Sequence, residues 1–100
     1  MLTKSQIKYL KGCAQDKKPV VTIGNKGLTD EVLEELNSSI DHHELMKIRV
    51  NGLNRDNKDD VAAEICSKAG VDLVQILGSV ITLFRQKANK KESNYILPKD

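Results

Sequence analysis

The chain has 100 residues, 39% of them hydrophobic and 30% charged, with sixteen Lys and Arg against fourteen Asp and Glu and a formal net charge of +2. This is the composition of one ordinary domain able to build its own core. It excludes a disulfide framework, a structural zinc cluster and, with no apolar run near the ~20 residues required, a membrane-spanning helix. The net charge alone is too mild to argue nucleic-acid binding, so the position of the cations must decide.

In chain order, residues 3 to about 15 predict a helix. Thr3 caps it and Gln6, three positions on, completes a capping box. Ile7, Leu10 and Ala14 share one face, while Lys4, Lys8 and Lys11 fall on another, about one turn apart or roughly 5–6 Å. Those lysines are either an ordinary solvated face or a row of cations that Lys17 and Lys18 continue. Pro19 ends the helical segment, and the β-branched run Val20 to Ile23 predicts a strand.

The strand runs into Gly24-Asn25-Lys26-Gly27, followed by a helix start at Leu28-Thr29-Asp30-Glu31. Two glycines allow close approach and positive φ, the helix start offers unpaired N–H groups and a positive dipole end, and Lys26 adds a full charge. The segment is therefore a candidate cradle for a nucleic-acid phosphate, the alternative being a plain strand-to-helix turn that needs glycine for its angles. The helix itself spans residues 30 to 40, capped by Thr29 or Asp30, with Val32, Leu33, Leu36 and Ile40 inward.

In the segment His42 to Val50, Met46, Ile48 and Val50 alternate with Lys47 and Arg49, which predicts a strand with one buried and one basic face. Residues 51–57 read as loop. Residues 58–69 read as a third helix, with Asp59 and Asp60 at its positive end, Val61, Ala62, Ile65, Cys66 and Ala69 inward, and Gly70 as its stop. Leu73 to Leu77 and Val80 to Arg85 predict two strands joined by a Gly78-Ser79 hairpin turn. From Gln86 the chain turns polar and reads as a loose tail. The expected organisation is a domain over 1–86 and a tail over 87–100. The fold class is α/β: a two-layer sandwich in the order αβαβαββ with a mixed four-stranded sheet.

Candidate chemistry beyond the glycine loop is sparse. His42 and His43, taken as neighbours on a strand, point to opposite faces and find no third metal ligand, so a structural or helix-ending role is expected. No nucleophile–base pair, metal cluster or nucleotide fingerprint is visible, so neither enzymatic activity nor a cofactor is expected. Tyr9, Phe84 and Tyr95 are the only aromatics, too few for a base-stacking sheet, which leaves an electrostatic and shape-based mechanism. Cys13 and Cys66 form no ligand spacing and fit two buried thiols in a reducing compartment. The opening residues lack the apolar stretch of a signal peptide, so a cytoplasmic location is expected.

At this point the chain resembles a known family, the small bacterial CRM-domain proteins of the YhbY type. The matching stretches include Leu2-Thr3, Pro19-Val20-Val21, Ile23-Gly24, Gly27-Leu28-Thr29, His43-Glu44-Leu45-Met46-Lys47, Val74-Gln75 and Leu83-Phe84-Arg85. They extend to residue 86 in family order and at family spacing. Two positions depart from the family pattern: Asn25 precedes Lys26 where the basic residue commonly comes first, and Phe84 stands where tyrosine is common. The resemblance implies a fold similar to the C-terminal domain of translation initiation factor three, with a Gly-x-x-Gly loop similar to that of KH domains. It also implies binding to structured RNA and association with precursors of the large ribosomal subunit. The expected RNA-binding residues are then Gly24, Asn25, Lys26, Gly27, Leu28 and Thr29 of the loop, Lys47 and Arg49 of the strand, Lys4, Lys8 and Lys11 of the first helix, and Arg85. A monomer contacting ribosomal RNA is the leading expectation. The alternative is a protein-interaction module that joins ribosomal particles without touching RNA.

Overall fold

Thr3 opens the first helix, α1 (Lys4–Ala14), through a reciprocal capping box: its hydroxyl accepts from the Gln6 N–H at 3.2 Å and the Gln6 side-chain oxygen accepts from the Thr3 N–H at 3.0 Å. The remaining elements follow the expected order: β1 (Pro19–Ile23), α2 (Asp30–His43), β2 (Leu45–Val50), α3 (Lys58–Ala69), β3 (Asp72–Leu77) and β4 (Val80–Phe84), with a short 3-10 turn at Lys90–Glu92. The computed structural model describes residues 2–51, 57–87 and 89–98. The loop expected at 51–57 lies mostly outside them. Among the described residues no helix is long and apolar enough to cross a membrane.

The sheet is mixed and ordered β1-β2-β4-β3. β1 runs parallel to β2, and β4 pairs antiparallel with both β2 and β3. β1 is an edge strand, which is why Pro19 is tolerated at its first position, one residue earlier than expected. Met46, Ile48 and Val50 of β2, with Val21, Ile23, Ile81 and Leu83 of its neighbours, pack against Leu36 and Ile40 of α2 and Val61, Ala62, Ile65 and Ala69 of α3. This is the expected sandwich of sheet and helices. α1 adds a partial third layer on the opposite face, where Leu10 and Ala14 pack on Leu45, Val74 and Phe84. It covers only one end of that face. Lys47, Arg49, Gln75 and Thr82 lie on the remainder, as their register requires: Lys47 pairs with Thr82, and Thr82 with Gln75.

Two expectations need correction. α2 does not stop near residue 40 but continues through His42 and His43, whose rings meet edge to face at 4.8 Å in its last turn. Imidazoles there sit at the negative end of the helix dipole, a helix-ending role reached without the strand geometry first assumed. The stop comes at Glu44, whose φ of 63° is the one positive value at a non-glycine among the described residues. Such a backbone is strained by about 1–3 kcal/mol and persists only where its surroundings over-determine it.

The surroundings in question are the C-terminal segment, and here lies the second correction. Lys87 and residues 89–98 are not a loose tail. The fully buried Glu44 carboxylate accepts from the Lys87 N–H at 3.0 Å, the Ser93 hydroxyl at 2.6 Å and the Asn94 N–H at 2.7 Å, and the Glu44 carbonyl accepts from the Arg85 N–H at 2.8 Å. Tyr95 sets its ring edge to face on Phe84 at 5.8 Å, and Leu97 packs on the α1 core. The Pro98 carbonyl accepts from the Gln6 side chain at 3.1 Å. Burial by itself pushes the Glu44 carboxyl up. The hydrogen bonds from Ser93, Asn94 and Lys87, with the Lys87 charge, outweigh it and hold the group below its ordinary value of 4.5.

Candidate nucleic-acid interface

The glycine loop is a tight turn closed by its own backbone. The Gly27 N–H donates to the Gly24 carbonyl at 3.0 Å, and the Thr29 N–H to the Gly27 carbonyl at 3.1 Å. Gly27 sits at φ 74°, a left-handed conformation that side chains disfavour, so the fold itself asks for glycine there. Gly24 is different. Its φ is not positive, and a Cβ built on it would meet nothing within 4 Å. The fold leaves open space beside that backbone.

The residues around the turn divide into anchors and exposed groups. Leu28 is half-buried and packs against the main core, so it anchors the loop. The Thr29 hydroxyl accepts from the Val32 N–H at 3.2 Å and caps α2. Asn25 and Lys26 are exposed at the tip. Asp30 and Glu31 occupy the first turn of α2, where their carboxylates already complement the dipole. That weakens the part of the phosphate-cradle reading that rests on the helix start and leaves more of it to Lys26 and the neighbouring strand.

That strand delivers Arg49 to the loop. Thr22 pairs with Arg49 and Ile23 with Val50, and the Asn51 N–H donates to the Ile23 carbonyl at 2.8 Å, tying the end of β2 to the start of the turn. Lys47 lies two residues back on the same face, roughly 7 Å along the strand. Lys11 from α1 and Lys17 from the α1–β1 link line shallow clefts shared with Lys47. Lys4 and Lys8 are exposed farther along α1. Lys4 is seven residues from Lys11, about 10 Å along the helix axis, so the row leads away from the loop.

Arg85 does not join this group. Its guanidinium donates to the Asn37 side chain at 3.1 Å and to the Ala69 carbonyl, and pairs with Asp41 at 2.6 Å. It therefore clamps the ends of α2 and α3. Asp41 lies eleven residues beyond Asp30, roughly 16 Å along α2 from the loop. Arg85→Ala is expected to destabilise the domain by about 2 kcal/mol through the orphaned carbonyl and broken charged hydrogen bonds. Its RNA affinity should stay within about twofold of the parent once corrected for folded fraction. Thermal melts and filter binding on the same sample check both parts.

The sheet also separates charge. Residues 2–29 hold Lys4, Lys8, Lys11, Lys17, Lys18 and Lys26 against the single acid Asp16, and Lys47 and Arg49 add to them. The opposite helical layer carries Asp30, Glu31, Glu34, Glu35, Asp41, Asp59, Asp60 and Glu64. The ion pairs among the described residues, Lys68–Glu64 at 2.8 Å and Arg85–Asp41, both belong to the helical layer. None of these eight cations forms an ion pair among the described residues. A nearly balanced sequence thus folds into a strongly polarised molecule.

Among the described residues no three of His, Cys, Asp or Glu gather as a metal would require. Cys13 and Cys66 are half-buried, not fully enclosed as expected. Burial, then the nearby Asp72, pushes the Cys66 thiol up and makes it a poor nucleophile. The residue that sequence reasoning missed is Glu44. In the sequence it stands only within the family-like stretch His43 to Lys47, and its partners lie more than forty positions away.

The comparisons with known proteins agree with this architecture. A family model described as the CRS1 / YhbY (CRM) domain matches residues 2–85. A protein from Haemophilus influenzae named RNA-binding protein is 36% identical over 90 residues, covering 90% of this chain and 91% of the relative. One from Pseudomonas aeruginosa, named Probable RNA-binding protein PA4753, is 36% identical over 95 residues, covering 93% of this chain and 91% of the relative. The solution structure of SAV1595 from Staphylococcus aureus superposes with a TM-score of 0.82 at 31% identity, covering 98% of this chain and 100% of that one.

Proposed function

The chain belongs to the CRS1 / YhbY (CRM) domain family, and on that premise we propose that it is a non-enzymatic, cytoplasmic, monomeric protein that binds structured RNA in assembly of the large ribosomal subunit. The observation that carries this reading is the polarised surface. Eight cations, six within residues 2–29 and two on β2, have no carboxylate partner among the described residues, and Gly24, where a Cβ would meet nothing within 4 Å, follows the end of β1. Relatives named as RNA-binding proteins support RNA as the polyanion. The large-subunit assignment comes from the family resemblance noted in the sequence.

In this reading the sugar-phosphate backbone approaches Gly24, where no side chain intervenes. Lys26 and Arg49 take adjacent phosphates, and Lys47, Lys11, Lys8 and Lys4 widen the contact. Neutralising phosphates releases counterions, so affinity falls steeply with salt. Lys26→Ala is expected to lower the slope of log affinity against log salt by about one unit. A gel-shift series with protein-free large-subunit ribosomal RNA measures it. An unchanged slope removes Lys26 from the interface. No binding at any salt removes direct RNA contact altogether and leaves a protein partner.

A further inference from the structure

Resting on the RNA-binding reading, we propose that the uncovered half of the α1-side sheet face is a groove for a single-stranded nucleotide segment, its phosphates on Lys11, Lys17 and Lys47 and an unpaired base over Leu77 facing Gln75 and Thr82. Two adjoining clefts make this groove. The larger, about 370 Å³, lies between the C-terminal half of α1 and the sheet, and the smaller, about 150 Å³, continues it toward Val80; they share Lys47, Gln75 and Leu77. The larger already falls in the size range of ligand clefts, roughly 300–1,000 Å³.

Three features fix the chemistry of the occupant. Charge comes first: three lysines line the two clefts and no carboxylate does, so the groove selects an anion. Polar capacity comes second. The Gln75 side chain lines both clefts and the nearly buried Thr82 lines the smaller, and neither side chain makes a hydrogen bond to the described residues. Together they offer donors and acceptors of the kind that read a base edge. The third is apolar surface. Leu77 is 69% exposed and borders both clefts, so its side chain offers an apolar surface beside the lysines.

Gly12 points the same way. A glycine inside a helix costs about 1 kcal/mol against alanine, yet a Cβ at Gly12 would meet nothing within 4 Å. No packing within the domain calls for it, and its position on the cleft wall keeps the groove open. A duplex is too broad to enter a cleft of this volume and keeps its base edges paired, whereas an unpaired strand can place both phosphate and base inside.

The test uses fluorescence anisotropy at about 0.1 M salt, with a labelled single-stranded RNA of about 12 nucleotides and the same strand annealed to its complement. Gly12→Leu fills the groove without cost to the helix, and Leu77→Ala removes an exposed side chain, so both variants should stay folded. Each is expected to weaken single-strand binding about fivefold or more while changing duplex binding less than about twofold. Lys26→Ala should weaken both probes. Unchanged single-strand affinity in both groove variants, or an equal loss on the duplex, overturns the groove; if Lys26→Ala still weakens both probes, the RNA-binding reading survives that failure. Wild-type protein that binds neither probe overturns both.

Discussion

Glu44→Ala is expected to cost about 3 kcal/mol of stability and to release residues 87–98 from the domain. The carboxylate is the acceptor for three donors at once, Lys87 N–H, Ser93 Oγ and Asn94 N–H. Truncation removes the shared acceptor of these partly buried donors, leaving Ser93 Oγ only the Tyr95 carbonyl, and the positive φ at position 44 loses the side-chain network around it. Undocking of the segment limits the penalty, because the freed donors then reach water. For a domain of this size, 3 kcal/mol lowers Tm by roughly 12–24 °C. Glu44→Gln keeps the shape but turns an NH₂ toward a donor, so it should rescue little.

Acid should mimic the truncation. The folded carboxyl lies below its ordinary value of 4.5, so its contribution is complete above that value and is lost as pH falls through the lower folded one. Amide exchange at Asn94 and Lys87 should accelerate in that window before the sheet amides do. Wild-type stability in Glu44→Ala, or protected tail amides at low pH, contradicts the latch.

Gly24→Asp is expected to weaken RNA binding at least about tenfold while moving Tm by no more than about 2 °C. A carboxylate at this position projects into open space, so the fold has nothing to rearrange. It does place a negative charge where a phosphate is to approach. Two like charges about 4 Å apart in a surface dielectric repel by up to about 4 kcal/mol, and a third of that suffices for the tenfold loss. Gly27→Asp is the less clean experiment, because φ 74° there adds backbone strain to any electrostatic effect. Titration of both variants into labelled ribosomal RNA separates the two. Parental affinity in Gly24→Asp means the loop does not touch the RNA backbone.

What the sequence made legible was whatever a local rule encodes. Thr3 and Gln6 sit three apart and form the box that spacing requires. Met46, Ile48 and Val50 bury one face of β2 because side chains alternate. Gly70 and Gly78 mark the helix stop and the hairpin. Illegible were the features set by long-range partners. Arg85 reads as a surface cation until Asn37, 48 positions away, and Asp41 take up its guanidinium. Glu44 ends α2 without the glycine that usually announces such a stop, because contacts with the C-terminal segment sustain its backbone. Tyr95-Ile96-Leu97 is a three-residue apolar run after a polar stretch, too short for a period to reveal that Tyr95 and Leu97 dock while Ile96 stays exposed. The basic surface lay between: alternation put Lys47 and Arg49 on one face, but only the packing of α1 shows that Lys11 shares it.

The central claim is that an RNA backbone lies along the side of the sheet that carries the unneutralised cations and ends at the glycine turn. Crosslinking the wild-type protein to protein-free large-subunit ribosomal RNA, followed by mass spectrometric assignment of the modified peptides, tests it directly. Adducts should fall within residues 4–29 and 45–51. Adducts confined to the acidic outer faces of α2 and α3 would contradict it.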